Sequence, residues 1–459
     1  MLQNVDRRMP GAATAPPRPW RPGVQGTQRA TAMAVAYDVA RRCTDRHCLS
    51  QALAQSARHT KFPQATRWLP YGVATGDAGI AVLCAYCDAC RPDEGWDAAG
   101  HAFLITGLNA AAKAAGGAAG RLPSSLFSGL PGLMFAVSSL SRGDTRYGRA
   151  LAYLDDELAP LAQHAATRLA PVRHGRPVSD FDLISGASGL VPALMVRDPH
   201  RLLPALLTAL VGLAAPTGTL PTWATPPDLL GNPSMRAAYP YGNLNCGMAH
   251  GISGPMAVLA LALKAGHEVP GQREAIRSLA DWLTTHRADD AWGTNWPPAI
   301  PLAPPNGRPA PPPVPSRSSW CYGSPGIARA LWHAGEALDD AGLRRSAVDA
   351  VTAVLARPTT SPSPGSATFC HGTAGLLQVV LRFAHDTGLP PFTTGTDRLV
   401  DRMLASFDTL RPVGYAASGQ GGEPVDRPDL LDGAAGVALA LLSATTDAEP
   451  DWDRLFLLS

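Results

Sequence analysis

The chain has 459 residues with 39 basic and 37 acidic side chains, a net charge of +2 that argues against duplex nucleic acid or an anionic membrane surface as its main partner. Hydrophobic residues make up 46% and charged residues 17%, enough apolar surface for a large core and too much for global disorder. Eight cysteines over this length are far too few for a disulfide scaffold.

Residues 1–30 are rich in Pro, Gly, Arg and Gln and contain no apolar stretch long enough for a signal-peptide core, so they read as a flexible tail. The longest apolar run, 202–215, is interrupted by Pro204 and falls short of the ~20 residues that cross a bilayer. A cytoplasmic protein with reduced thiols and no membrane span is the expectation. Length alone suggests about three domains, but an internal repeat overrides it.

One pattern recurs seven times from residue 76 onward: a small or polar residue, Gly, two residues, Gly, then an apolar run. The pairs are Gly76/Gly79, Gly129/Gly132, Gly186/Gly189, Gly251/Gly254, Gly323/Gly326, Gly372/Gly375 and Gly433/Gly436. They recur at roughly 60-residue spacing, room for two ordinary helices and their loops. The runs after each pair are rich in Ala and Leu, apolar on nearly every side and without period-two alternation, which predicts buried helices. More polar helical stretches lie between them, such as 144–163 and 272–287. Buried and half-buried helices alternating in seven pairs predict an all-α fold, an α/α toroid with an inner ring and an outer ring, as one domain over residues 31–459. Thr75, Ser128, Ser185 and Asp432, each directly before a first glycine, are predicted as N-caps. The equivalent positions in three repeats hold His250, Tyr322 and His371. In a toroid these side chains converge on one rim.

Cys321 directly precedes Tyr322 and Cys370 directly precedes His371, which brings two thiols and an imidazole to that rim. Such a set suits Zn²⁺, and three protein ligands leave the open fourth position of a catalytic site. The bland alternative is that free cysteines are small buried hydrophobes.

The segments Asn245-Cys-Gly-Met-Ala-His-Gly-Ile-Ser-Gly-Pro255, Arg317-Ser-Ser-Trp-Cys-Tyr-Gly-Ser-Pro-Gly326 and Cys370-His-Gly-Thr-Ala-Gly375 resemble the signatures of the lanthionine synthetase C-like cyclases, from about residue 65 to the end. The resemblance implies an α/α toroid with one zinc on Cys321, Cys370 and His371. It also implies that His250 is an acid–base group with Asp182 close to it, and that Arg317 and Tyr322 flank the zinc cysteine. Cys246 departs from the aliphatic residue common there and reads as a small buried side chain. The activity implied is zinc-dependent addition of peptide Cys thiols to dehydroalanine or dehydrobutyrine, closing (methyl)lanthionine rings. In this reading zinc deprotonates the thiol, His250 shuttles the proton with Asp182 orienting it, Arg317 meets the enolate oxygen and Tyr322 assists by hydrogen bonding. The partners implied are a dehydrated precursor peptide with its leader and a separate dehydratase, since the residues before the toroid are too few for one. Rival readings are addition of glutathione or another thiol to dehydroamino acids, and a non-catalytic peptide-binding scaffold.

Two other features are weighed against simpler explanations. Cys84, Cys87 and Cys90 are spaced like cluster ligands, but with no fourth ligand they read as helix packing, as do Cys43 and Cys48. Residues 297–315 hold ten prolines in nineteen positions and are expected as extended polyproline II, a solvated insert bordering the site or a docking strip for peptide.

Overall fold

The computed structural model describes residues 18–117, 120–170, 175–198, 200–215, 220–305, 310, 312, 314–358 and 366–459. Helices α1 (Gly26–Thr44) and α2 (Arg46–His59) lead into the repeats. Inner and outer helices then alternate: α3 (Asp77–Cys90) with α4 (Trp96–Ala115), α5 (Leu130–Leu140) with α6 (Gly148–Arg168), and α7 (Val191–Arg197) with α8 (Leu203–Val211). The short α9 (Pro233–Ala238) and strand β1 (Asn243–Asn245) precede α10 (Ser253–Lys264) and α11 (Gln272–Thr285). Strand β2 (Ala299–Pro301) is followed by α12 (Ser324–Ala337) with α13 (Ala341–Ala356) and α14 (Thr373–Thr387) with α15 (Pro390–Ala405). The two-residue strands β3 (Ala417–Ser418) and β4 (Pro424–Val425) lead to α16 (Ala434–Thr445).

Burial follows from the two kinds of helix sequence. Every residue of α16, AAGVALALLSAT, is buried, so it has no face to offer water. In α11 the buried set is Gln272, Ala275, Ile276, Leu279, Ala280 and Leu283, the helical i, i+3, i+4, i+7 stripe, with the charged residues outward. Consecutive inner helices touch, α3 to α5, α5 to α7, α7 to α10, α10 to α12, α12 to α14 and α14 to α16, and α16 returns to α3. The ring therefore closes, an α/α toroid.

Closure uses a segment expected as tail. The outer partner of α16 is α1, and Trp20 is 4% exposed with its Nε1 donating to the Ser443 carbonyl at 2.9 Å. Val24 is buried as well. The flexible-tail expectation is therefore corrected for residues 20–30. Pro19 and Pro22 made this stretch look unstructured, but they space the apolar anchors that dock on α14 and α16, Trp20 stacking on His385 and Val24 N–H donating to Ala444. Residues 1–17 lie outside the described residues.

The glycine pairs act through backbone packing. A Cβ on Gly375 would lie 2.0 Å from the Phe369 carbonyl oxygen and 3.5 Å from the Cβ of Trp320 in the preceding repeat. In all seven repeats the carbonyl six residues earlier lies over the second glycine, at Val73, Leu126, Leu183, Met248, Trp320, Phe369 and Leu430, and all seven of these side chains are buried. The loop thus folds back over the start of its helix, and its carbonyls take up the orphan N–H groups. Leu130 donates to Pro123, Thr373 to Ser366 and Ala434 to Arg427. This corrects the predicted caps. Gly76, Gly129, Gly186 and Gly433 occupy the N-cap positions without a side-chain bond, and Thr75, Ser128, Ser185 and Asp432 sit one residue further out.

A second set of bonds ties the repeats together. Ala74 N–H donates to Phe127, Leu126 to Ile184, Leu183 to Ala249, Ala249 to Cys321, Cys321 to Cys370, Cys370 to Leu431, and Leu431 to Ala74. These seven backbone bonds run round the rim and return to their start. The segment Asp451–Phe456 fills the middle of the ring, with Phe456 3.9 Å from Phe369 and 5.0 Å from Trp320 between ring centroids.

Candidate metal centre and acid–base pair

Cys321 and Cys370 each stand two residues before a first glycine, in neighbouring repeats, and the rim bond from Cys321 N–H to the Cys370 carbonyl at 3.3 Å brings their backbones together. His371 follows on the same loop. One donor atom from each of Cys321, Cys370 and His371 lies within 4.8 Å of the others, the one such group of His, Cys, Asp or Glu among the described residues. Three donors sharing a tetrahedral zinc at ordinary bond lengths sit roughly 3.5–4 Å apart, so the spacing fits. Cys321 is 4% exposed and is a free thiol, as is Cys370. The hydrogen bond from Cys370, together with His371 and Arg317, holds the Cys321 thiol well below its ordinary value, and the same bond raises Cys370. His371 is raised through its bond to Cys321. Asp432 Oδ1 is buried without a hydrogen-bond partner among the described residues, 3.6 Å from His371 Nδ1. A carboxylate in that place orients a metal-binding imidazole. The donor set and this orphaned oxygen both suit a cation.

Asp182 and His250 come from the third and fourth repeats. Asp182 is 1% exposed; its Oδ1 accepts the N–H groups of Ser185 and Gly186, both at 2.8 Å, and its Oδ2 lies 2.7 Å from His250 Nδ1. Both oxygens thus act as acceptors, so Nδ1 carries the proton and Nε2 is left for chemistry. His250 is more than a third exposed, open to a substrate.

Tyr322 links the two groups. Its ring centroid is 6.3 Å from that of His250, and its hydroxyl accepts from Asn245 Nδ2 at 3.2 Å. Burial pushes the phenol up to about 12, so it stays protonated and available as a donor. A Cβ at Gly247 would lie 2.7 Å from both the Tyr322 ring and the Cys321 carbonyl, which is why the loop after Asn245 carries glycine there. Arg317 is half-buried, lines a cavity with His371, and its charge acts on both cysteines.

All seven predicted residues therefore gather at one rim. Sequence reasoning overlooked Asn245, and it assigned Asp432 a capping role that the structure does not give it. A signal was present for the loop-holding function of Asp182. The position four residues before the first glycine is Ser125, Asp182, Ser319, Thr368 or Asp429 in five repeats, and in four of these the side chain bonds the backbone three residues on. The proline-rich segment also differs from expectation. Part of it, β2, pairs antiparallel with β1, Asn245 opposite Ala299, and Pro298 accepts from Cys246 N–H. It therefore braces the strand that carries Asn245 rather than running free; positions 306–309, 311 and 313 lie outside the described residues. Cys246 is fully buried, as are Cys84 and Cys87 on α3, while Cys90 Sγ sits 3.3 Å from Thr446 Oγ1.

A family model for lanthionine synthetase C-like proteins matches residues 67–457. The chain belongs to the lanthionine synthetase C-like family. Among solved structures, nisin cyclase matches this family member with a TM-score of 0.70 at 19% identity, covering 89% of this chain and 96% of that one. At that identity the likeness shows the α/α toroid. No curated protein matches the chain in sequence. Among the described residues no helix is long and apolar enough to cross a membrane.

Proposed function

We propose that this family member is a zinc-dependent cyclase that adds cysteine thiols of a dehydrated peptide to dehydroalanine or dehydrobutyrine, forming thioether rings. The observation that carries the reading is the Cys321–Cys370–His371 group beside the Asp182-held His250 on one rim.

Zinc on the two cysteines and His371, with a fourth position open, would supply a deprotonated substrate thiol at neutral pH. The chain's own residues then manage charge and protons. In the addition a carbon–sulfur bond forms at the β-carbon, the carbon–carbon double bond becomes an enolate, and the α-carbon takes up one proton, replacing the one the thiol lost. Nε2 of His250 receives and returns that proton, while Asp182 fixes Nδ1–H and with it the orientation of the ring. The Arg317 guanidinium meets the enolate oxygen, and the Tyr322 hydroxyl, held by Asn245, donates to the same peptide. The substrate is a leader-bearing peptide already dehydrated by a separate enzyme, encountered in the cytoplasm where thiols stay reduced.

Incubation with a dehydrated, cysteine-containing peptide tests this. The zinc-loaded protein is expected to reduce the number of alkylatable thiols without a change in peptide mass, and chelation is expected to abolish the effect. Ring formation at an unchanged rate in zinc-free protein would overturn the metal role. A dehydrated peptide without cysteine, supplied with glutathione, separates intramolecular cyclisation from thiol addition in trans.

A further inference from the structure

A cavity of about 420 Å³ opens beside the candidate metal centre, between α13, α14 and α15, with His371 on its wall. Its charged lining is of one sign. Arg317, Arg357, Arg398 and Arg402 face it, and among the described residues no acidic side chain lines it. Arg357 is 5% exposed; its Nε is bound to Asp290 at 2.6 Å and one Nη to Thr294 O at 2.9 Å, but Nη1 is buried with no hydrogen-bond partner among the described residues. A buried guanidinium nitrogen without an acceptor is costly unless a ligand supplies one. Arg317, Arg398 and Arg402 make no ion pair among the described residues, and one Nη of Arg398 donates to the Leu355 carbonyl at 3.3 Å.

We propose that this cavity is a carboxylate subsite, and that it binds an acidic group of the peptide whose thiol is presented at the neighbouring metal centre. The inference deepens the cyclase reading and rests on it for the identity of the ligand. Planar guanidinium groups recognise carboxylates through paired hydrogen bonds. Contiguity with His371 means one short peptide can reach both places. The carboxylate belongs either to an Asp or Glu side chain near the reacting cysteine or to a peptide C-terminus. A subsite of this kind would select which cysteine of a precursor is presented, a choice that the metal alone does not make.

The test is calorimetric titration of the zinc-loaded protein with short synthetic peptides, at low and high salt. Gly-Cys-Glu amide and Gly-Cys-Gln amide differ in the side-chain carboxylate alone, and Gly-Cys-Gln as free acid offers a C-terminal one. At least one carboxylate-bearing peptide is expected to bind about tenfold tighter than Gly-Cys-Gln amide. High salt is expected to shrink the preference, and the double variant Arg398→Gln/Arg402→Gln, on the solvent side of α15, to abolish it. Arg345→Gln, an exposed arginine of α13 outside the cavity, is expected to leave it intact. Gly-Ser-Glu amide against Gly-Ser-Gln amide separates the two ideas. If the metal reading fails, thiol peptides lose their advantage over serine peptides but the Glu preference persists. Equal affinities for all the cysteine peptides would overturn the subsite, as would a preference that survives in the double variant. Inorganic phosphate binding at micromolar concentration while no carboxylate peptide shows a preference would also overturn it, in favour of a phosphate site.

Discussion

At the scale of single residues, one buried carboxylate holds two parts of the site. Asp182 uses one oxygen to tie down its own loop and the other to fix the imidazole of the next repeat, so the position of His250 depends on a single buried carboxylate. His250→Ala is expected to slow cyclisation by about 100-fold or more, in line with the loss of a general acid–base group, while zinc content measured by elemental analysis stays unchanged. Cys370→Ser is expected to do the reverse in order, losing the metal first and activity with it, with the helical circular dichroism spectrum preserved. A His250 variant of full activity would remove the proton-shuttle role without touching the metal assignment.

At the scale of elements, the helices are placed by what their first turns exclude. Gly375 sits under the Phe369 carbonyl, where a methyl group has no room because the obstacle is backbone rather than a movable side chain. Gly375→Ala is therefore expected to cost about 1–3 kcal/mol and to disturb the adjacent Cys370–His371 loop. Gly148, the first residue of α6, has open space around its Cα. Gly148→Ala is expected to be neutral or to stabilise by up to about 1 kcal/mol. Urea unfolding of the pair separates packing from composition, since the two substitutions are chemically identical. The same measurement applies to the docking of the N-terminal segment. Trp20→Ala is expected to cost about 3–5 kcal/mol because a buried indole and its bond to Ser443 are both lost. A change below about 0.5 kcal/mol, typical of surface positions, would return residues 20–30 to the status of a tail.

On the scale of the whole molecule, the ring has a filled centre, and one group there gives it an acid limit. His333 on α12 is fully buried; Nε2 lies 3.1 Å from the Leu457 carbonyl and so carries the proton, leaving Nδ1 without a hydrogen bond among the described residues and 3.9 Å from Glu336 Oε2. Burial first, and the Arg329 charge second, lower its pKa from 6.5 to about 4. The unfolded chain takes up this proton at the ordinary value while the folded ring resists it. The stabilising contribution is thus full above pH 6.5 and is lost as the pH falls towards 4, about 3 kcal/mol in all. His333→Gln is expected to flatten that part of a stability–pH profile measured by chemical unfolding. An equally steep profile in the variant would assign the slope to other groups. The toroid, the seven glycine pairs and the Cys321–Cys370–His371 group were legible from the amino-acid order, because helix periodicity and loop chemistry are local properties that repeat at regular spacing. The pairing of α1 with α16, the strand formed within the proline-rich segment, and the arginine-lined cavity beside His371 were not. Each joins residues with no shared local pattern, and it is the closure of the ring, through seven rim bonds and close backbone contacts, that brings them together.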